Sequence, residues 1–168
     1  MEKLWSPWRS KYIESFKTSS EKTEDSLFTH ILNENDDDKH FLLHRGKKVF
    51  VIMNLYPYNS GHLLIVPYVQ STSLSDLDEE TKLESMNLLD LSCKALDDVM
   101  KPQGFNIGVN IGKCSGAGVD DHLHFHIVPR WNGDTNFMPV LNDVKIVSEA
   151  MEDTYKKLKA SFSKLLKS

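Results

Sequence analysis

Residues 121–129 read DHLHFHIVP, and histidine alternates with an apolar residue from His122 to Ile127. A period of two is typical of a β-strand, because successive side chains of a strand point to opposite faces of a sheet. The run therefore predicts a strand whose apolar face is anchored in a core. The other face would carry the imidazoles of His122, His124 and His126. Neighbouring rings on that face would be about 6.5–7 Å apart, which suits binding on both sides of one phosphoryl group.

Two alternatives to chemistry on a phosphoryl group stay open for this run. A single histidine on a strand is most often a structural hydrogen-bonding group, but three in register are costly to bury unless each has a partner. A metal site is the stronger alternative, since imidazole binds zinc, copper, iron and nickel. The sequence shows no further metal ligand at a spacing typical of a metal site, because Asp120 and Asp121 lie too close to the histidines along the strand to complete the same site.

A glycine-rich loop, GKCSGAG at residues 112–118, directly precedes the histidine run and is followed by Val119. Its backbone N–H groups are free of bulky side chains and could cradle phosphate oxygens. The loop is not a P-loop, because lysine and serine or threonine do not follow its second glycine. Alone it is equally consistent with a simple turn. Next to three histidines it favours phosphate chemistry.

The rest of the chain predicts an α+β domain with a mainly antiparallel, five-stranded sheet and two main helices. The predicted strands are residues 41–43, 48–54, 62–67, 105–111 and 121–129. The main helices are residues 79–101, capped by Asp78, and 148–166, and a short helix over residues 26–33 has Asp25 as its expected cap.

Two of these elements have a predicted core-facing side. In the helix over 79–101, helical spacing places one set of residues toward the core, namely Met86, Leu89, Cys93, Leu96 and Met100. In the strand over 105–111, apolar residues alternate with asparagine and glycine, which predicts a half-buried strand.

The composition limits the possible partners. The 168 residues carry 20 Lys and Arg against 24 Asp and Glu, a net charge of -4, which argues against tight electrostatic binding of duplex nucleic acid or of an anionic membrane surface. We expect neither a nucleic acid nor a membrane as a partner. No apolar run approaches the roughly 20 residues of a spanning helix. The N-terminus is aromatic and charged rather than apolar, and Cys93 and Cys114 form no CxxC pair, so we expect a cytoplasmic protein.

We expect three regions along the chain. Residues 1–40 form an extension with an aromatic head and a polar linker, residues 41–140 form the main domain, and residues 141–168 form a helix packed on that domain. Neither internal repeats nor low-complexity tracts interrupt this order.

The run HLHFHIV resembles the H-φ-H-φ-H-φ-φ signature, with φ apolar, of the histidine triad family of nucleotide hydrolases and transferases. The upstream segment MNLYPYNSGHLLIVP and the sequence Pro129-Arg130-Trp131 match the same family, so the resemblance covers most of residues 41–139. The head LWSPWR and the tail NGDTNF resemble bacterial members that cleave diadenosine tetraphosphate, within the fragile-histidine-triad branch.

The resemblance implies a role for each of four histidines. His124 would attack the α-phosphorus and form a nucleotidyl-histidine intermediate, and His122 would orient it. His126 would hydrogen-bond the leaving or bridging phosphate oxygen. His62 would support the triad from the neighbouring strand. A neutral imidazole with a pKa of ~6.5 is a competent nucleophile at pH 7, and a protonated neighbour stabilises a departing phosphate.

The resemblance also implies the nucleotide contacts and partners. Asn54 would lie near the ribose and Asn110 would contact phosphate, while the loop backbone would bind phosphates through Ser115, Gly116, Ala117, Gly118 and Val119. Trp131 lies either near the second nucleotide or packed on the domain. The family scheme needs no protein-bound metal or other cofactor, although magnesium can accompany a polyphosphate substrate. A homodimer would join two sheets into one.

Three functions are compatible with these residues. The first is cleavage of dinucleoside polyphosphates through a covalent intermediate, with phosphate favoured over water as the acceptor. The second is hydrolysis of nucleoside phosphoramidates at the same site. The third is nucleotide sensing with little turnover.

Overall fold

The computed structural model describes residues 26–116, 118–134 and 150–167. In chain order its elements are α1 (Leu27–Glu34), β1 (Leu42–Arg45), β2 (Val49–Met53), β3 (Leu63–Pro67), α2 (Glu79–Met100), β4 (Gly104–Val109), β5 (Phe125–Arg130) and α3 (Met151–Leu165). Short 3-10 turns occur at Leu74–Asp76 and Lys113–Ser115. The division of the chain at residues 40 and 140 stays a prediction.

The five strands form one sheet in the order β1-β2-β3-β5-β4, and every neighbouring pair is antiparallel. Helix α2 carries the chain from β3 to β4, and β5 then lies between these two strands. Register pairs Leu64 of β3 with His126 of β5, and Gly108 of β4 with the same histidine. The predicted α+β fold with an antiparallel five-stranded sheet is confirmed.

Both faces of the sheet are covered by helices. On one face, α2 and α3 enclose the larger core, which includes Leu96, Phe125, Ile127 and Phe162. On the other face, α1 packs on a smaller cluster formed by Phe28, Ile31, Leu42, Phe50, Ile52, Leu64 and Val66. The histidine run therefore lies beneath α1, while the apolar residues Phe125 and Ile127 point to the α2 and α3 side, as the alternation predicts.

Helix α1 begins one residue later than the sequence suggested. Ser26 is its N-cap, and the Ser26 hydroxyl accepts a hydrogen bond from the Thr29 N–H at 3.2 Å. The prediction of Asp25 as the cap is wrong, and Asp25 itself lies outside the described residues. The helix ends at Glu34, and Asn35 follows in the left-handed conformation with φ 50°.

Helix α2 has the predicted cap, since the Asp78 carboxylate accepts from the Thr81 N–H at 2.7 Å. Its predicted core face is only partly right, because Met86 is 51% exposed and Cys93 is only half-buried. The buried face includes several small side chains instead, namely Thr81, Ser85, Ser92 and Ala95. Small residues allow the helix to lie close to the sheet, and a search for large apolar residues misses such a face.

Strand β4 is an edge strand, paired only with β5 in the described chain. It spans Gly104–Val109 rather than residues 105–111. Phe105 and Val109 pack against the larger core, whereas Ile107 and Ile111 are 52% and 46% exposed. The prediction of burial is therefore wrong for these two isoleucines, because no described element covers them. Within the described residues, no helix combines the length and the apolar character needed to span a membrane.

Candidate active site

The histidine run is only partly a strand, since β5 begins at Phe125. The prediction of a strand from residue 121 is wrong because the chain leaves the β-ladder before that point. His122 and Leu123 are instead held by the segment that follows β3. The His122 ring lies 2.8 Å from the Pro67 carbonyl oxygen, and the Leu123 N–H donates to the Ser71 carbonyl at 2.6 Å.

His122 is enclosed, with 1% of its surface exposed. Because the Pro67 carbonyl can only accept, Nε2 of His122 carries the proton in that contact. Nδ1 lies 2.6 Å from the Ser26 hydroxyl oxygen. Burial lowers the pKa of His122, which favours the neutral ring. His122 is therefore not a lining residue of the pocket described below, because its two ring nitrogens are both engaged inside the protein.

His124 is held as a neutral ring with a defined tautomer. Its Nδ1 lies 2.8 Å from the backbone carbonyl oxygen of His122, which can only accept, so Nδ1 carries the proton. Burial lowers the pKa of His124. The unprotonated nitrogen is therefore Nε2, the atom that a nucleophilic role requires.

A hydrogen bond with His62 determines the tautomer of His126. The Tyr58 N–H donates to Nδ1 of His62 at 3.0 Å, so the His62 proton lies on Nε2. That nitrogen is 3.0 Å from Nδ1 of His126. In the neutral pair, His62 donates to His126, and the proton of His126 lies on Nε2. His124 thus offers a lone pair and His126 offers an N–H, with ring centroids 4.8 Å apart.

These two rings line a pocket between α1 and the sheet. One part of the pocket is apolar and is formed by Leu27, Phe28, Ile31, Ile52 and Leu64. The polar part is formed by Asn54, His124 and His126, with Gly118 and Val119 of the glycine-rich loop beside them. An apolar slot next to a few polar groups is the usual form of a small-molecule site.

The structure brings together most of the predicted site residues, but not all. His124, His126, Asn54, Gly118 and Val119 line the pocket, and His62 contacts it through His126. The Asn54 amide nitrogen is 3.3 Å from Nδ1 of His62, and its oxygen accepts from the Tyr56 N–H. The remaining described residues of the prediction, His122, Asn110, Ser115 and Gly116, are not among the lining residues. Ala117 lies outside the described residues.

The Ser115 hydroxyl has a partner within its own loop, because it donates to the Gly112 carbonyl at 2.7 Å. Trp131 is half-buried and is not a lining residue, while its N–H donates to Asp134 at 3.1 Å. Within residues 26–116, 118–134 and 150–167, no group of three His, Cys, Asp or Glu side chains is arranged to hold a metal ion.

Sequence reasoning missed two aromatic residues of the site. Phe28 is 3% exposed and directs its ring edge-on to His122 and His124, with centroid distances of 5.3 and 5.2 Å. Tyr58 stacks on His62 at 4.8 Å and on His126 at 5.8 Å. The available signal for Phe28 was its helical spacing with Ile31, which predicted the helix but not its place over the histidines.

The geometry agrees with the comparisons with known proteins. The family model of the HIT domain matches residues 35–133. The chain belongs to the HIT, or histidine triad, family. The AP-4-A phosphorylase of Mycobacterium tuberculosis is 33% identical over 168 residues, which cover 98% of this chain and 86% of that protein.

Two further comparisons extend this result. The adenosine 5'-monophosphoramidase of Saccharomyces cerevisiae is 29% identical over 121 residues, 71% of this chain and 72% of that protein. The crystal structure of a zinc-bound histidine triad family protein from Mycobacterium smegmatis matches with a TM-score of 0.69 and 23% identity, over 86% of this chain and 97% of that one. The latter likeness establishes the fold alone.

Proposed function

We propose that this protein cleaves dinucleoside polyphosphates of the diadenosine tetraphosphate type by nucleotidyl transfer through His124. The broader class, a nucleotide hydrolase or transferase, follows from the family and from the named relatives. The observation that most directly supports the role of His124 is the contact of 2.8 Å between its Nδ1 and the His122 carbonyl oxygen. This contact leaves Nε2 as the unprotonated nitrogen of a ring that lines the pocket.

In the first step, Nε2 of His124 attacks the α-phosphorus and a nitrogen–phosphorus bond forms. The bond from that phosphorus to the bridging oxygen breaks, and the leaving polyphosphate takes both electrons. The His126 Nε2–H donates to this oxygen and stabilises its developing charge. Diadenosine tetraphosphate would leave ATP at this stage and an adenylyl group on His124.

In the second step, an acceptor oxygen attacks the same phosphorus from the exposed side and the bond to His124 breaks. Inorganic phosphate as acceptor gives ADP, and water gives AMP. We favour phosphate, because the similarity to the M. tuberculosis AP-4-A phosphorylase extends over 98% of this chain.

The remaining site residues have binding roles in this scheme. The apolar slot beside Phe28 takes the base, Asn54 lies toward the ribose, and Gly118 and Val119 offer backbone contacts to phosphate. We extend the phosphate contacts to Asn110, Ser115, Gly116 and Ala117 as predictions from the family resemblance. The scheme routes no step through a protein-bound metal, and magnesium would enter with the polyphosphate.

We also propose a homodimer in which two β4 strands pair across the edges of two sheets. Ile107 on β4 and Ile111, two residues beyond its end, support it, since both expose apolar surface at this edge of the sheet, and natural proteins rarely leave such an edge uncovered. Ile107→Lys should then reduce the mass measured by light scattering to that of one chain. A cytoplasmic location stays a prediction from the N-terminal composition and the two cysteines.

A second candidate, the phosphoramidase, is favoured by one observation, the 29% identity with the yeast adenosine 5'-monophosphoramidase. The third candidate, a nucleotide sensor, would bind the same ligands with little turnover. Adenosine phosphoramidate therefore belongs in the same substrate panel as diadenosine tetraphosphate.

The deciding experiment is product analysis by ion-exchange chromatography, with and without millimolar phosphate. We expect ATP and ADP from diadenosine tetraphosphate, with a rate that rises with phosphate. AMP with a rate indifferent to phosphate would show that water is the acceptor. Turnover of adenosine phosphoramidate alone would favour the second candidate. In the same assay His124→Ala should lose turnover. His30→Ala is its matched control, since the His30 side chain is 70% exposed on α1.

A further inference from the structure

Ser26, at the start of α1, contacts the histidine triad and is separated from it by 96 positions in the sequence. Its hydroxyl oxygen lies 2.6 Å from Nδ1 of His122, and both residues are 1% exposed. We infer that Ser26 is a positioning residue, which fixes the ring of His122 and thereby the carbonyl that orients His124. The inference deepens the proposed function and rests on it.

The donors and acceptors around Ser26 allow one arrangement with a neutral His122. The Pro67 carbonyl takes the proton on Nε2 of His122, so Nδ1 needs a donor. The Ser26 hydroxyl is the donor within reach of Nδ1. The Thr29 N–H donates to the Ser26 oxygen, so that contact leaves the hydroxyl proton for His122. A contact of 3.1 Å to the Thr29 hydroxyl is satisfied when threonine donates. Each polar atom of this buried group then has a partner.

Ser26 is itself held in place by the body of the protein. Its backbone N–H donates to the side-chain oxygen of Gln70 at 3.2 Å. Next to Gln70 along the chain, the Ser71 carbonyl accepts from the N–H of Leu123, inside the histidine run. Hydrogen bonds at Ser26 and at Ser71 therefore connect the first turn of α1 to the segment after β3 and to the histidine run.

The effect reaches His124 through the backbone. The His122 carbonyl accepts from Nδ1–H of His124 at 2.8 Å, and this contact determines which nitrogen of His124 is unprotonated. Without the Ser26 hydroxyl, Nδ1 of His122 would be a buried acceptor with no donor, and the ring would shift or change tautomer to find one. A shift of the ring moves the carbonyl, and a small misplacement of reacting groups is costly in rate.

The loss should appear in kcat rather than in KM. Ser26 is not a lining residue of the pocket, so nucleotide binding keeps its contacts. We expect kcat to fall about tenfold or more, in line with the sensitivity of rates to misplaced groups. KM should change less than about twofold, because no group that binds the nucleotide is removed.

The test uses three substitutions in the full chain. Ser26→Gly removes the hydroxyl but keeps an acceptable N-cap, so loss of helix capping contributes little. Ser26→Ala removes both functions, and Ser26→Thr restores a hydroxyl. Thr29→Ala is the control, since the Thr29 hydroxyl contacts that of Ser26 and, among the described residues, makes no hydrogen bond to a histidine. Circular dichroism and thermal unfolding show that each variant is folded.

The second readout is the tautomer of His122, measured by ¹⁵N NMR of the ring nitrogens. The wild type should show a protonated Nε2 and a hydrogen-bonded Nδ1, and Ser26→Gly should change the Nδ1 resonance while Ser26→Thr preserves it. Wild-type kcat in Ser26→Gly, or a protonated Nδ1 in wild-type His122, would overturn the inference. Absence of dinucleotide turnover in the wild type would instead overturn the proposed function.

Discussion

Replacement of Phe28 tests whether α1 forms part of the nucleotide-binding site. Phe28 is 3% exposed, packs on Phe50 and faces His122 and His124 edge-on. Truncation of a buried phenylalanine to alanine costs about 3–5 kcal/mol. Because the vacated volume opens to the pocket and can fill with water, we expect Phe28→Ala to lie near the lower limit, about 3 kcal/mol.

The same substitution should weaken nucleotide binding. Phe28 lines the apolar slot beside His124, and loss of most of its ring contact with a bound base should cost about 1.4 kcal/mol. That free energy corresponds to a roughly tenfold higher Kd. The assays are urea denaturation for stability and isothermal titration with AMP for affinity.

Phe162→Ala is the matched control. Phe162 is 1% exposed and lies in the larger core under α2 and α3, on the opposite face of the sheet from Phe28. We expect a similar or larger loss of stability and an unchanged Kd for AMP. A loss of less than about 1 kcal/mol in Phe28→Ala would contradict the prediction, since burial of the ring predicts more. Equal AMP affinity in the two variants would contradict it as well.

Three further predictions concern the buried histidines, the contacts of Asp134 and the need for a metal. Burial lowers the pKa of His122 and His124, whereas in the unfolded chain they take up protons near pH 6.5. Stability to urea should therefore fall as pH drops below about 6.5, and a flat profile from pH 7 to 5 would contradict this. Asp134→Asn weakens contacts to Arg130 and Asn59, so amide exchange in residues 55–61 should accelerate. After chelator treatment, activity should survive with magnesium restored, and dependence on added zinc would favour the metal alternative.

The sequence predicted those parts of the fold that have a local pattern. The histidine alternation placed Phe125 and Ile127 in the core, and Asp78 marked the start of α2, because strand periodicity and helix capping are local. The core face of α2 was harder to predict, since Ser85 and Ala95 are small and give no apolar signal.

The site was less predictable, because it depends on contacts between distant segments. Ser26 and Phe28 meet His122 only when α1 folds over the sheet, and no spacing in the sequence records that contact. Enclosure of His122 follows from the same packing. Alternation alone therefore placed three imidazoles on one face, whereas the structure shows that His124 has its unprotonated nitrogen at the pocket and that His122 is held inside the protein.

In the proposed reaction, His124 carries the nucleotidyl group between the two steps. The direct measurement is rapid acid-free quenching during turnover of diadenosine tetraphosphate, followed by peptide mass spectrometry. We predict an added adenylyl group on the peptide that contains residue 124, which disappears when phosphate is supplied and is absent in His124→Ala. Steady turnover by the wild type with no adduct, or turnover by His124→Ala above about a tenth of the wild-type kcat/KM, a loss of only ~1.4 kcal/mol, would contradict the claim.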